Sequence, residues 1–254
     1  MPAPYKFKPR LITTLAAAAG LAATLALANW QLGRAQEKEE ARARLDALSK
    51  GPPVTLPAAE VKAGDVLWRR VKVSGRFDPK YTVFLDNRVY HGVPGYHVVM
   101  PVAIAGGDRY VAVDRGWIAG TGDRSRLPQV KTPEGPVEIT GLAVVPSRRF
   151  LELSTNVVEG NVWQNLTLER YRRAVPVALQ PVLIQQESPL DDGLTRDWPP
   201  PDLGIQMHYG YAFQWAALGV TILVIYLVTH VRRARSLSDD VRQTPQAKPP
   251  DKLE

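Results

Sequence analysis

Two groups of polar and aromatic residues could do chemistry. One is Trp30-Gln31 with Arg34, the other His208, Tyr209, Tyr211, Gln214 and Trp215. His208, Tyr211, Ala212 and Trp215 stand at i, i+3, i+4 and i+7 and so share one helical face, with Gln214 beside Tyr211. Trp30 and Arg34 are i, i+4 and share a face of their own. A neutral imidazole in such surroundings suits an axial haem ligand, with aromatic rings over the macrocycle and Arg34 available to a propionate. Another planar, lipid-soluble ligand fits as well. The commoner origin of such a cluster is an interfacial aromatic belt or helix packing. That accounts for Trp30, Tyr209, Tyr211 and Trp215, and less well for His208 and Gln214. Residue types alone leave both readings open.

Each group lies at the end of an apolar stretch. Leu11–Leu32 carries no charge and is rich in Ala and Leu. Tyr211–Val228 is interrupted only by Gln214, Gly219 and Thr221. A hydrocarbon core of about 30 Å needs about 20 apolar residues, so both can span. Lys6, Lys8 and Arg10 precede the first stretch, and Arg232, Arg233 and Arg235 follow the second. Basic residues near membrane ends favour the cytoplasmic side. Both termini are therefore expected inside and the middle outside, which puts both clusters at the outer face. Ala26-Leu27-Ala28 resembles a signal-peptide cleavage site. The long apolar run and the Trp30 belt position favour a retained helix.

Charge and composition exclude several classes. The chain has a net charge of +7, yet residues 35–207 hold 22 basic and 21 acidic side chains. The excess sits at the ends and is a topology signal, so no nucleic-acid partner is expected. There is no cysteine, which removes disulfides and thiolate metal sites, and three methionines are too few for a soft copper carrier. The middle is long enough for one well-buried domain.

That middle reads as mainly β. Val71–Gly75 alternates and precedes a turn at Asp78-Pro79; Tyr81–Tyr90 and Gly95–Ile104 flank a turn containing His91-Gly92-Val93-Pro94. Tyr110–Ile118, Val137–Val145 and Val177–Gln186 are further strands. Arg34–Ser49 continues the first helix as a charged surface helix ended by Gly51-Pro52-Pro53, and Leu166–Ala174 is a short helix with Thr167 near its start. Pro199–Pro201 stiffen the approach to the second span. Ser236–Glu254 is polar and has little to bury, as a disordered tail would. The expected fold class is membrane α+β: two transmembrane helices flanking one mainly antiparallel-β extracytoplasmic domain. The expected boundaries are a cytoplasmic N-terminus at 1–10, spans at 11–32 and 208–230, a periplasmic domain at 33–207 and a cytoplasmic tail at 231–254.

No phosphate loop, paired-His metal spacing or nucleophile elbow occurs in this domain. Asp114-Arg115-Gly116-Trp117 invites an acid–base reading, but no nucleophile accompanies it. The structural reading is an Asp–Arg pair, a glycine bend and a packed Trp. His91 and His97 supply too few ligands for a metal.

Three blocks resemble the bacterial surfeit-locus-one (Surf/Shy) family, which assists assembly of haem-copper cytochrome c oxidase. They are Trp30-Gln31 with Arg34 and Lys38; Val71–Asp78 through Gly95-Tyr96-His97-Val98 and Pro101 to Val113–Ile118; and His208 with Tyr211–Trp215. The resemblance runs from about residue 26 to 228. It departs at Ala28, where the family usually has Gly, at Ala35, where it has Leu, and at Ala216, where an aromatic is common. It implies that His208 is the ligand to haem a iron, with Trp30 implicated beside it, and that Gly75 and Tyr211 match positions on which function depends. The implied cofactor is haem a, held transiently. The implied partners are membrane lipid, oxidase subunit I and, as a further candidate, haem a synthase.

The expected function is an inner-membrane assembly factor that binds haem a and assists its insertion into subunit I, drawing on His208, Trp30, Arg34, Tyr211, Gln214 and Trp215. No bond of the cargo changes, so no enzyme activity is expected. The alternatives are a haem-free scaffold for nascent subunit I and a two-helix periplasmic accessory protein. The last would project a mostly helical loop.

Overall fold

The computed structural model describes residues 5–122, 126–146 and 158–233. The tail expected to be disordered, and Arg235, lie outside them. The chain forms two compact units, residues 1–41 with 202–254 and residues 42–201.

In chain order the elements are β1 (Tyr5–Phe7), α1 (Leu11–Ser49), β2 (Val54–Thr55), α2 (Ala63–Val66), β3 (Arg70–Phe77), β4 (Val83–Tyr90), β5 (Val93–Ile104), β6 (Arg109–Ala119), β7 (Val137–Val144), β8 (Val158–Glu159), β9 (Val162–Trp163), α3 (Leu168–Ala174), β10 (Ala178–Gln186), α4 (Ile205–His230) and β11 (Val231–Arg233). The predicted major strands are present, most within two residues of their expected ends. The turn after β4 is tighter than expected. His91 and Gly92 alone form it, both with positive φ (47° and 81°), while Val93 and Pro94 belong to β5. Two left-handed residues match the twist of a two-residue hairpin.

The first unit is an antiparallel helix pair. Thr24, Ala28, Gln31 and Ala35 are the buried positions of α1, a stripe at i, i+4, i+7 and i+11. They face Ala212 and Gly219 of α4, which are also buried. Small residues let the backbones approach: a Cβ on Gly219 would fall 2.9 Å from Thr24 Oγ1, and one on Gly20 would meet Ile222 Cδ1 at 3.3 Å. At the far end Thr14 Oγ1 and the Tyr226 hydroxyl lie 2.8 Å apart, as do Thr13 Oγ1 and His230 Nε2. Here β1 pairs antiparallel with β11, placing Lys6 opposite Arg232. The backbone segments that carry Lys6 and Arg232 thus meet at one end of the pair. Only 11 % of the most apolar window of each helix is buried. A core helix of a soluble protein would hide most of that surface, so this is a membrane protein with two spanning helices. At 39 residues α1 is about 58 Å long, nearly twice a hydrocarbon core. Its charged C-terminal half is the part that must leave the bilayer.

The second unit is a nine-stranded mixed sheet in the order β2-β3-β7-β10-β6-β5-β4-β9-β8. A further β3–β5 pairing closes β3, β7, β10, β6 and β5 into a five-stranded barrel. All pairings in that ring are antiparallel except β10 with β6. Closure happens where Gly75 opposes Ile104 and Phe77 opposes Val102. A Cβ on Gly75 would sit 2.1 Å from Ala103 O, so only glycine lets these strands cross so closely. Alternation along β3 sends Val71, Val73 and Phe77 inward. Met100, Val102, Val111, Val113, Ile139 and Ile184 join them to fill the barrel. Burying each such side chain contributes about 1.5–3 kcal/mol.

A second layer covers the barrel's side. Thr167 caps α3 by accepting from Arg170 N at 3.1 Å. The helix then buries Leu168 and Tyr171 against Val83, Leu85 and Val99. The Tyr171 hydroxyl donates to Tyr81 O at 2.8 Å.

Candidate functional site

His208 stands in the first turn of α4, half-buried on the face toward α1. Its Nδ1 lies 2.7 Å from Gln31 Oε1. An amide oxygen can only accept, so Nδ1 carries the proton and donates. With the Gln31 amide oriented this way, a neutral His208 keeps the lone pair on Nε2. Metal-binding histidines are held in this way by a partner on the other ring nitrogen. Gln31 is itself only 9 % exposed.

The surrounding anchors hold α4 in register on α1. Gly204 precedes α4 in the left-handed region (φ 67°), and its N–H donates to Asp202 Oδ1 at 2.7 Å. Lys38 Nζ donates to Leu203 O at 2.6 Å. Tyr209 donates to Glu39 Oε1 at 2.9 Å. Lys38, singled out by the first sequence block, is thus a tether for the start of α4.

The other residues read from the sequence fall in different places. Ala212 and Trp215 share the α1-facing side with His208, Ala212 buried and Trp215 half-buried. Tyr211 is 47 % exposed, at the edge of that stripe, and Gln214 is exposed away from it. Trp30 is 56 % exposed. Arg34 is exposed and bound to Glu37 Oε2 at 2.6 Å. Among the described residues no hydrogen bond or ring contact joins Trp30 or Arg34 to His208. The polar residue of α1 that meets His208 is Gln31, which the sequence placed in the cluster without a role. The signal was present in the Thr24-Ala28-Gln31-Ala35 stripe: three small residues mark the face of closest approach, and Gln31 is on it. Two of the departures from the family, Ala28 and Ala35, are on this same contact face.

Asp114-Arg115-Gly116-Trp117 is structural, but its pairing differs from the expected Asp–Arg contact. Consecutive strand residues point to opposite faces, so Asp114 and Arg115 diverge. Arg115, fully buried, donates to Asp192 Oδ2 at 2.9 Å and lies over the Phe77 ring at 4.5 Å. Burial pushes its guanidinium pKa down, and Asp192 opposes that shift. Asp114 instead accepts from His97 Nδ1 at 3.0 Å. Gly116, at φ 136°, leaves room for Thr195 O, which a Cβ would approach to 2.6 Å. No group of three or more metal-ligating side chains occurs among the described residues.

Two antiparallel spanning helices, with a closed mixed β-barrel inserted between them in the sequence, define a two-span membrane α+β protein. The SURF1 family profile matches residues 18–220, which include both halves of the His208–Gln31 pair and the whole barrel. The chain belongs to the SURF1 family, a family of cytochrome oxidase assembly factors. It is 27 % identical to a SURF1-like protein of Rickettsia conorii over 226 residues, covering 85 % of this chain and 89 % of the relative. It is 34 % identical to an uncharacterized SURF1-like protein of Mycobacterium bovis over 122 residues, covering 45 % of this chain and 43 % of the relative. Surfeit locus protein 1 of Takifugu rubripes is 25 % identical over 163 residues, covering 58 % and 68 %.

Proposed function

We propose that this protein holds haem a as cargo on the helix pair, through His208 Nε2, and passes it to subunit I during assembly of haem-copper cytochrome c oxidase. The observation that carries the reading is the Nδ1–Gln31 Oε1 hydrogen bond, which leaves Nε2 free to ligate. A single histidine ligand suits cargo that must leave again. The exposed rings of Trp30, Tyr211 and Phe213 offer apolar surface to a macrocycle within the same end of the pair. Arg34 would exchange Glu37 for a propionate, both being exposed. The protein is read as non-enzymatic, since no bond of the cargo changes.

The membrane is the bacterial inner membrane, with both termini cytoplasmic and the barrel periplasmic. Convergence of the Lys6 and Arg232 strands at the end of the pair remote from His208 supports that orientation. Haem a synthase is the upstream partner in this scheme and subunit I the downstream one.

The test is co-expression with haem a synthase and measurement of haem bound to purified protein. His208→Ala is expected to remove nearly all of it; undiminished haem sinks the assignment. A haem-free scaffold for subunit I would instead co-purify with that subunit while showing no haem absorption. The helical accessory protein does not fit a barrel of five strands.

A further inference from the structure

We propose that the face of α4 turned away from α1 is a self-association surface, on which a second copy of this chain pairs its Gln214 with this one. In the sequence Gln214 stands beside His208 as a residue that an aromatic belt explains poorly. The structure gives His208 a partner in Gln31. Gln214 is exposed, and none of the described residues hydrogen-bonds its side chain. At 1.5 Å per residue it lies about 9 Å further into the span than His208. Hydrocarbon offers an amide neither donor nor acceptor, so a side chain there without a protein partner is costly.

Gln214 does not stand alone on its face. Gly210, Gln214, Ala217 and Thr221 are all exposed, and they lie about 160° round the helix from the His208, Ala212 and Gly219 side that meets α1. Read from the basic end outward, they are Thr, Ala, Gln and a small residue, at steps of four, three and four. The positions of α1 that receive α4 are Thr24, Ala28, Gln31 and Ala35, the same types in the same order at the same steps. Both threonines turn their hydroxyls back onto their own helix, Thr24 to Leu21 O at 2.9 Å and Thr221 to Ala217 O at 2.8 Å. On α1 this pattern is buried under a helix, and its Gln is matched by a side chain of that helix. On α4 no helix among the described residues covers it, and a Cβ on Gly210 would meet nothing within 4 Å. Small residues alone would mark only a smooth face; the unpaired amide is what calls for a partner.

The amide also selects the partner. A second copy inserts with the same orientation, so a two-fold axis along the membrane normal sets the two α4 helices parallel and the two Gln214 side chains at one depth. A primary amide carries both donors and an acceptor, so each Gln214 can donate to the other and accept from it. The pair closes through two reciprocal hydrogen bonds, whereas an apolar helix would bury the amide unmatched. Gly210 and Ala217 on either side let the backbones come close enough for that contact. A two-fold contact uses the same face of both chains, so association stops at a dimer. His208 is on the other side of α4, so the pairing stands or falls independently of haem there.

The chain has no cysteine, so a single introduced cysteine reports the contact without background. The full chain carrying Ala217→Cys, and a second carrying Ala216→Cys on a different exposed side of α4, are oxidised in bacterial membranes at equal chain density. Ala217→Cys is expected to give a disulfide-linked dimer of twice the chain mass, in at least about fivefold higher yield than Ala216→Cys. Adding Gln214→Leu to Ala217→Cys is expected to lower that yield about fivefold or more, the scale of a hydrogen bond between membrane helices. Equal yields at the two positions report chance collision and overturn the proposal. So does a yield unchanged by Gln214→Leu, the lack of a dimer at both positions, or an Ala217→Cys product linked only to a different protein. The comparison of the two cysteine positions keeps Gln214, so it decides the matter even if Gln214→Leu does not insert.

Discussion

A histidine can ligate a metal only through a ring nitrogen that has lost its proton, and under the proposed haem-carrying role Gln31 would decide which nitrogen of His208 that is. Replacing Gln31 with Leu keeps the shape of the α1 face and removes the acceptor. If the proposed haem site is correct, haem affinity is expected to fall about 10- to 100-fold, the usual cost of losing such an outer partner. Titration of haem into the variant checks it; unchanged affinity would mean that Gln31 only packs. His208 stood out in the sequence because an imidazole among aromatic belt residues is hard to explain by the belt. Its contact with Gln31 did not, because a side-chain hydrogen bond between residues 177 positions apart leaves no local spacing to read. Arg115 carries the same lesson: its partner is Asp192, 77 residues away, and not its neighbour Asp114.

At the scale of elements, strands and helices were largely readable, since alternation and apolar periodicity act locally. β3 shows this in its buried Val71, Val73 and Phe77. The small elements escaped: β2, β8 and β9 have two residues each, too few for a period. The closure of the barrel escaped too, although Gly75 stood out through the family resemblance. Its reason is steric, a missing Cβ beneath Ala103 O. Gly75→Ala is expected to force β3 from β5 and to destabilise the unit by about 1–3 kcal/mol, the usual cost of overpacking. Urea unfolding of the full chain in detergent, followed by the near-ultraviolet signal, measures this. A midpoint within error of the unmutated chain would show that the seam yields without cost.

For the whole molecule, the barrel unit must be stable at the pH where it works, and Tyr171 sets one limit. Burial first, and the charge of Asp78 second, push its pKa well above that of a free phenol. A group whose folded pKa is raised contributes stability that is complete below its unfolded pKa, about 10, and is lost as pH rises beyond it. Above about pH 10, stability is expected to fall by about 1.4 kcal/mol per pH unit on account of this residue. Tyr171→Phe is less stable at neutral pH because Tyr81 O loses its donor. Its alkaline slope is expected to be shallower by that amount. Parallel slopes for the two proteins would exclude Tyr171 as the source.

The sequence by itself determined two spans, the basic residues at their ends, a β-rich domain between them and the family to which all of this belongs. These properties rest on apolar length, charge and alternation, each set within a few residues of chain. Only the tertiary structure decided that Gln31 and not Trp30 meets His208, that Asp114 pairs with His97 while Arg115 pairs with Asp192, and that five strands close into a barrel. Those outcomes depend on which distant surfaces come into contact, and close packing admits one set of neighbours where local pattern admits many.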